Sequence, residues 1–300
     1  MKKEIFWCFL YHHDKHEKWS LPKGFAKELE SQGINLKRLE FQNPLNFKLP
    51  NKEYIKKNNI KVLLIFYSGY SEYLDKELIK FKKDNPSIII INELGDEPQT
   101  QTLNYIRASV SHISLSPDYE SHLYWKSKGF NCLWFTHWAD SKIFFNKNNQ
   151  KRSLLIGTTS GRRKYTLMLK ILFQKNFQNK NLKDEENTIF YNNTKIAFQY
   201  ARWSEITRRI FEASACGCCV ITNRLPKEKK LECIFNHNES IIFFENRFSL
   251  IIEILKLIFN PSKIRRIGNN ASYIVDQNHT SKKRVEFLIN EVNKIKNIQN

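Results

Sequence analysis

Glu212 sits where an acid could do chemistry. It lies in TRRIFEASACGCCVIT (Thr207–Thr222), after Arg208 and Arg209 and before a run of small residues feeding an apolar strand. A helix turns about 100° per residue, which puts Glu205, Arg208, Arg209 and Glu212 on one face and Ile206, Ile210 and Phe211 toward a core. A solvated face of i,i+3 and i,i+4 ion pairs looks the same, each pair contributing only a few tenths of a kcal/mol. The tail separates the two readings. Side chains this small let the helix end pack tightly on a sheet, and Gly217 can close it. A helix held that firmly fixes the direction of Glu212.

IGTTSGRRKY (156–165) is the second such stretch. Gly157 and its small neighbours let backbone N–H groups approach an anion at a helix start, and Arg162, Arg163 and Lys164 add positive charge. The G-x-x-x-x-G-K-[ST] spacing of a P-loop is absent. A phosphate-binding turn and an ordinary β–α turn both fit. Cys216 and Cys219 form a C-x-x-C pair, but no second pair stands at zinc-site spacing. The six cysteines therefore read as buried small hydrophobes in a reducing compartment, with no metal.

Apolar strands and amphipathic helices must position these residues. In the first half, strands are predicted at 4–10, 35–41, 61–67, 87–92, 112–116 and 131–135, with helices at 22–33, 71–86, 102–109 and 118–129. The second half gives strands at 152–157, 218–222 and 240–244 and a basic helix at 162–177. NTIFY (187–191) and KIAFQ (195–199) read as apolar pieces around a turn, and helical segments at 247–259, 261–275 and 280–296 follow. Near-continuous apolar strands alternating with helices predict parallel sheets covered on both faces. The expected fold is α/β, with two tandem doubly wound Rossmann-like domains at 1–145 and 146–300, the second ending in helices. The linker is expected within 139–152. Ligands of such sheets bind beyond the carboxyl ends of the strands. Polar groups gather there: YHHDKH, YSGYSE, ELGDEPQT, PDYE and THWAD each follow a strand.

Composition narrows the partners. Residues 151–300 hold 27 Lys+Arg against 13 Asp+Glu, and residues 1–150 hold 22 against 17. The second half therefore suits a polyanionic ligand or surface: a nucleotide diphosphate, a nucleic acid or anionic lipid. No apolar run reaches the roughly 20 residues that span a bilayer, and the start reads as a strand, not a signal peptide. The expected location is cytoplasmic, with peripheral contact at an anionic inner membrane face.

RRIFEASACGCCVIT, followed by LECIFNHNESIIFFEN, resembles the donor-domain signature of GT-B glycosyltransferases of the CgeB-like, spore-coat-type branch. HTSKKRVEFLI (279–289) resembles the same family's C-terminal H-T-x-x-x-R segment, and GDEPQT and YWKSKGFNCLWFTHWAD resemble the end of its N-terminal domain. The resemblance implies GT-B architecture and transfer of a sugar from a nucleotide-sugar donor to a glycan, lipid-linked glycan or protein in an interdomain cleft. A role in cell-surface polysaccharide biosynthesis would follow.

The resemblance also assigns roles. Glu212 would hold the ribose hydroxyls, and Glu205 is the nearest acid to the sugar-binding position, one residue out of register because Ser204 stands there. The backbone near Thr207 and Arg208 would face the pyrophosphate, with Gly157 in the facing turn and Arg162 or Arg163 neutralising the leaving diphosphate. No D-x-D occurs, consistent with no metal or other cofactor. An inverting enzyme would need a base from the first domain, and Asp96, Glu97, His13 and Asp14 qualify by position. His137 and Trp138 fit packing at the hinge, and His279 orientation of the last helix. Two other classes stay open. One is a basic nucleic-acid-binding protein, although no such motif is present. The other is a GT-B-like module without catalysis.

Overall fold

The computed structural model describes residues 6–13, 18–42, 47–67, 72–149, 151–159 and 163–299. The chain divides into two compact units, Met1–Thr136 and His137–Asn300.

The first unit alternates strand and helix throughout: β1 (Phe6–His12), α1 (Leu21–Ser31), β2 (Asn35–Phe41), α2 (Lys52–Lys57), β3 (Ile60–Phe66), α3 (Glu72–Asp84), β4 (Ile89–Glu93), α4 (Tyr105–Val110), β5 (Ile113–Ser116), α5 (Tyr119–Ser127) and β6 (Cys132–Trp134). All strand pairs are parallel, in the order β2-β1-β3-β4-β5-β6. Val62, Leu63, Leu64 and Ile65 of β3 are buried on both faces of the sheet, as their unbroken apolar run requires. Helix starts carry their own caps. Ser20 accepts from the Lys23 N–H, with Pro22 in the first turn of α1, and Asp118 accepts from the Ser121 N–H at 2.9 Å.

The second unit continues with β7 (Leu154–Thr158), α6 (Arg163–Phe173), β8 (Phe177–Asn179), α7 (Asp184–Asn193), β9 (Thr194–Gln199), α8 (Arg208–Ala215), β10 (Cys219–Asn223), α9 (Leu231–Ile234), β11 (Ile242–Phe244), α10 (Arg247–Ile258), α11 (Pro261–Asn278) and α12 (Ser281–Gln299). Its five strands are parallel in the order β11-β10-β9-β7-β8. Register assigns the helices to faces. Ile156, Ile196 and Cys219 lie side by side, as do Phe198, Ile221 and Ile242. These side chains share one core with Leu169 of α6, Leu250, Ile254 and Leu257 of α10, and Ile264 and Ile267 of α11. Gly157 points to the other face, where a Cβ would meet Phe190 and Thr194 at 2.8 and 2.6 Å, so α7 covers that side.

Three expectations change. The division falls upstream of 145/146, because residues 139–149 bond into the second unit. The Ala139 N–H donates to His279 O, Thr188 Oγ1 to Ile143 O, and the Lys147 N–H to Asn192 Oδ1. NTIFY belongs to α7, where Glu185 and Glu186 stand in the first turn, acids that favour a helix N-terminus. The helix of Glu212 begins only at Arg208. Ser204 has φ 55° and Thr207 is extended, so Glu205 stands in the preceding loop and not on the helix face.

Candidate functional site

The site is built around α8. Gly217, at φ 74°, ends it in a Schellman motif: the Gly217 N–H donates to Ser214 O and the Cys218 N–H to Ala213 O. The small-residue tail has a closer partner than the sheet. A Cβ on Gly268 of α11 would fall on Gly217 O, nearer than non-bonded atoms approach, and Ser272 Oγ donates to Ala215 O. Arg152 closes the other side. Its guanidinium donates to Tyr191 O, Thr194 O and Cys216 O at 2.6–2.9 Å, the carbonyls exposed where α7 and α8 end. The C-x-x-C pair belongs to this packing. Cys216, Cys218 and Cys219 are buried and free, whereas Cys233 is exposed. Among the described residues no group of three His, Cys, Asp or Glu could hold a metal ion.

Held so, α8 aims its first turn at the carboxyl edge of the sheet. Glu212, 3% exposed, accepts from Arg208 Nε at 2.8 Å. The Thr207 hydroxyl, at the N-cap, is buried without a hydrogen-bond partner among the described residues and does not cap the helix. Behind it, the Tyr191 hydroxyl bonds Thr159 Oγ1 at 2.7 Å and accepts from Gln199 Nε2, joining the ends of β7 and β9. Burial, and then the nearby Glu212 charge, push the Tyr191 phenol up.

Positive charge exceeds negative here. His137 is pushed down to about 4 by burial and by the Arg208 and Arg284 charges. His279 falls to about 3 through burial and Arg284, whose Nη2 lies 2.6 Å from His279 Nδ1. Arg284 is itself lowered to about 10 by burial. Two histidines kept neutral beside arginines mark a place that favours an anion. His279, which caps the end of α11, also lies against Phe211 with ring centroids 5.1 Å apart and tilted by 40°, and its carbonyl accepts from the Ala139 N–H, tying the α11–α12 junction to α8.

The other sequence candidates fall as follows. Gly157 is inside β7 as a packing position, not in the turn after it. Arg163 starts α6 and is exposed, whereas Arg162 and Asp14 lie outside the described residues. In the first unit, Glu97 is placed where no substrate reaches it. It is 1% exposed, and its carboxylate accepts from Ser116 Oγ, Trp125 Nε1 and Asn104 Nδ2 at 2.5, 2.7 and 3.2 Å. His13 is buried with both ring nitrogens engaged, Nδ1 with Ser20 Oγ and Nε2 with Lys23 Nζ. Asp96 is exposed at φ 56°.

Sequence reading passed over Glu93, at the carboxyl end of β4. Burial, with Asp96 and Glu97 adding to it against Arg107, raises Glu93 to about 7, near the value a general base needs. Its place in the ELGDE run was the available signal. Arg284 was also passed over, although it is the arginine of the HTSKKR segment.

Residues 143–290 match the model of a family described as glycosyl transferase-like. No curated protein matches the chain. Among solved structures, sucrose-phosphate synthase from Thermosynechococcus elongatus aligns with TM-score 0.66 at 11% identity, over 96% of this chain and 98% of that one. HepE of Anabaena, in complex with UDP, aligns with TM-score 0.65 at 12% identity, over 96% and 100%. A glycosyltransferase from Rickettsia africae aligns with TM-score 0.66 at 12% identity, over 97% and 98%. At such identities the likeness establishes fold alone, an α/β chain with two parallel sheets; residues 143–290, which hold α8 and its charged surroundings, match the glycosyl transferase-like family model.

Proposed function

We propose that the protein is a metal-independent glycosyltransferase of the CgeB-like type, built as tandem doubly wound domains. The second unit takes a nucleotide-sugar donor at the carboxyl edge of its sheet. The observation that carries this reading is the buried Glu212 carboxylate, oriented by Arg208 one turn inside a helix whose N-cap hydroxyl has no partner among the described residues and whose surroundings carry excess positive charge. A rigid carboxylate suits a vicinal diol, and here that is the ribose. The Thr207 hydroxyl, the positive end of the α8 dipole and Arg208 suit the diphosphate. As the glycosidic bond breaks, charge grows on the leaving diphosphate. The helix dipole and arginines 162, 163, 208 and 284 stabilise it without a metal. That HepE is recorded with UDP favours a uridine nucleotide.

Glu205, in the loop before α8, is the candidate sugar contact. In the first unit Glu93 replaces Glu97 as the candidate base beside Asp96, because its carboxyl is poised near neutrality and is not locked by three donors. The acceptor is a glycan or lipid-linked glycan of the cell surface, glycosylated on the cytoplasmic side of an anionic membrane. Among the described residues no helix is long and apolar enough to cross one.

Titration with UDP, followed by calorimetry, tests the donor site. Glu212→Gln keeps the side-chain shape and removes the charge, and should weaken UDP by about 10- to 100-fold, or roughly 1.4–2.8 kcal/mol. Equal affinity in wild type and variant would remove Glu212 from the site and the proposal with it.

A further inference from the structure

α6 and α10 pack their inner sides on the same face of the second sheet, so their outer sides look away from it together. Both outer sides are apolar where solvent should favour polar residues. On α6, Leu167 and Ile171 are four residues apart and exposed, with Leu172 beside them. On α10, Phe248 and Leu255, together with the capping residue Phe259, are spaced by seven and four residues, one line along the helix. Phe248 is 74% exposed and Phe259 84%. Scattered exposed apolar residues need no explanation, but aligned stripes on two neighbouring helices mark an interaction surface.

The charge of this surface selects its partner. From Arg163 to Lys183 there are six cations and no acid. The only acid of α10, Glu253, is bonded by Lys256 Nζ at 2.6 Å. Lys164, Lys170 and Lys175 flank the α6 stripe and are exposed. A second copy of this chain docked here would set cation against cation. A polyanion without an apolar layer would leave the phenylalanines and leucines uncovered. The geometry points to the outer face of α6 and α10 as a docking face for an anionic bilayer surface. The stripes enter the boundary between headgroups and acyl chains, and the lysines pair with lipid phosphates. This deepens the membrane contact suggested above by naming the face that makes it, and it holds whichever nucleotide the donor site takes.

Sedimentation with vesicles tests it, using phosphatidylcholine alone and phosphatidylcholine mixed with phosphatidylglycerol. The wild-type protein should sediment with the anionic vesicles and not with the neutral ones. The pairs Leu167→Ser/Ile171→Ser and Leu255→Ser/Phe259→Ser leave every charge in place. Each should reduce anionic-vesicle binding by about tenfold, since two apolar side chains are withdrawn from the bilayer. UDP affinity and melting temperature, read on the same samples, should not move, so failure of the docking face and failure of the donor site are seen separately. Unchanged vesicle binding by both pairs would show that net charge alone binds lipid and would overturn the proposal. Equal binding to neutral vesicles would overturn it as well. So would tight binding to single-stranded RNA, or a dimer dissolved by these substitutions, in a protein that ignores vesicles.

Discussion

The carboxyl edges of the two sheets share a topology and differ in charge. In the second unit the edge gathers Arg208, Arg209 and Arg284 around one acid, and two histidines are driven to about 4 and about 3. In the first unit the edge gathers Glu93, Asp96 and Glu97, and one carboxyl is driven up to about 7. The two edges are also held differently. Glu212 is fixed by backbone packing at two glycines, and Glu97 is fixed by three hydrogen-bond donors. One scaffold thus yields a cationic edge and an acidic edge, and which one results depends on the residues after each strand.

The largest expected effect breaks the packing side of this contrast. Gly268→Val drives a branched side chain into Gly217 O and should destabilise the second unit by about 3 kcal/mol or more, read as a lower urea midpoint. Glu97→Ala tests the hydrogen-bonded side. It strands Trp125 Nε1 and takes away the 2.5 Å acceptor of Ser116 Oγ, at a cost of about 2–3 kcal/mol, and should leave UDP affinity unchanged. Loss of UDP binding in Glu97→Ala would show that the two edges are not separable in function.

Arg284→Met sharpens the electrostatic difference. UDP affinity should fall about tenfold. His137 and His279 should move up toward 6.5, as seen by NMR titration, because the cation that opposes their protonation is gone. Acid should act on the two units in opposite directions. The histidines have folded values below 6.5, so the unfolded chain takes protons first, and the second unit loses stability as pH falls from 7 to 5. Glu93 has a folded value above 4.5, so its penalty is present at pH 7 and fades as pH falls toward 4.5. Each contribution is on the order of 1–2 kcal/mol over that range. Segment-resolved hydrogen exchange at pH 7 and 5 reads both, and parallel loss in the two units would break the contrast. The smallest effect is expected at Cys233→Ser. That thiol is exposed, and the change should stay within about 0.5 kcal/mol.

Much of this organisation is legible in the sequence, and the misses have physical causes. β2 coincides with the predicted 35–41 strand although Lys37 and Arg38 interrupt its alternation, because it pairs with β1 along its whole length. β8 escaped notice because only Phe177 of its three residues is buried, which leaves almost no period to read. NTIFY reads as an apolar piece beside a turn because its apolar cluster outweighs the acids upstream. The position of Glu212 was readable from the closing glycine and the small tail. The start of its helix was not, since Ser204 takes a left-handed conformation that its residue type does not announce. Asp96 and Glu97 look interchangeable in ELGDEPQT, and only tertiary contacts separate an exposed acid from one enclosed by Ser116, Trp125 and Asn104.

The contact between Gly268 and Gly217 also bears on modularity. The stretch from β7 to β11 supplies every strand of the second sheet, yet not the means to hold α8. The wedge that α8 rests on comes from α11, and a cation beside it comes from α12. A gene fragment ending at β11 would encode a sheet with a loose tooth in it: the carboxylate present, its aim lost. Recombination that exchanges this sheet with its α8 intact would have to carry the last three helices along with the strands.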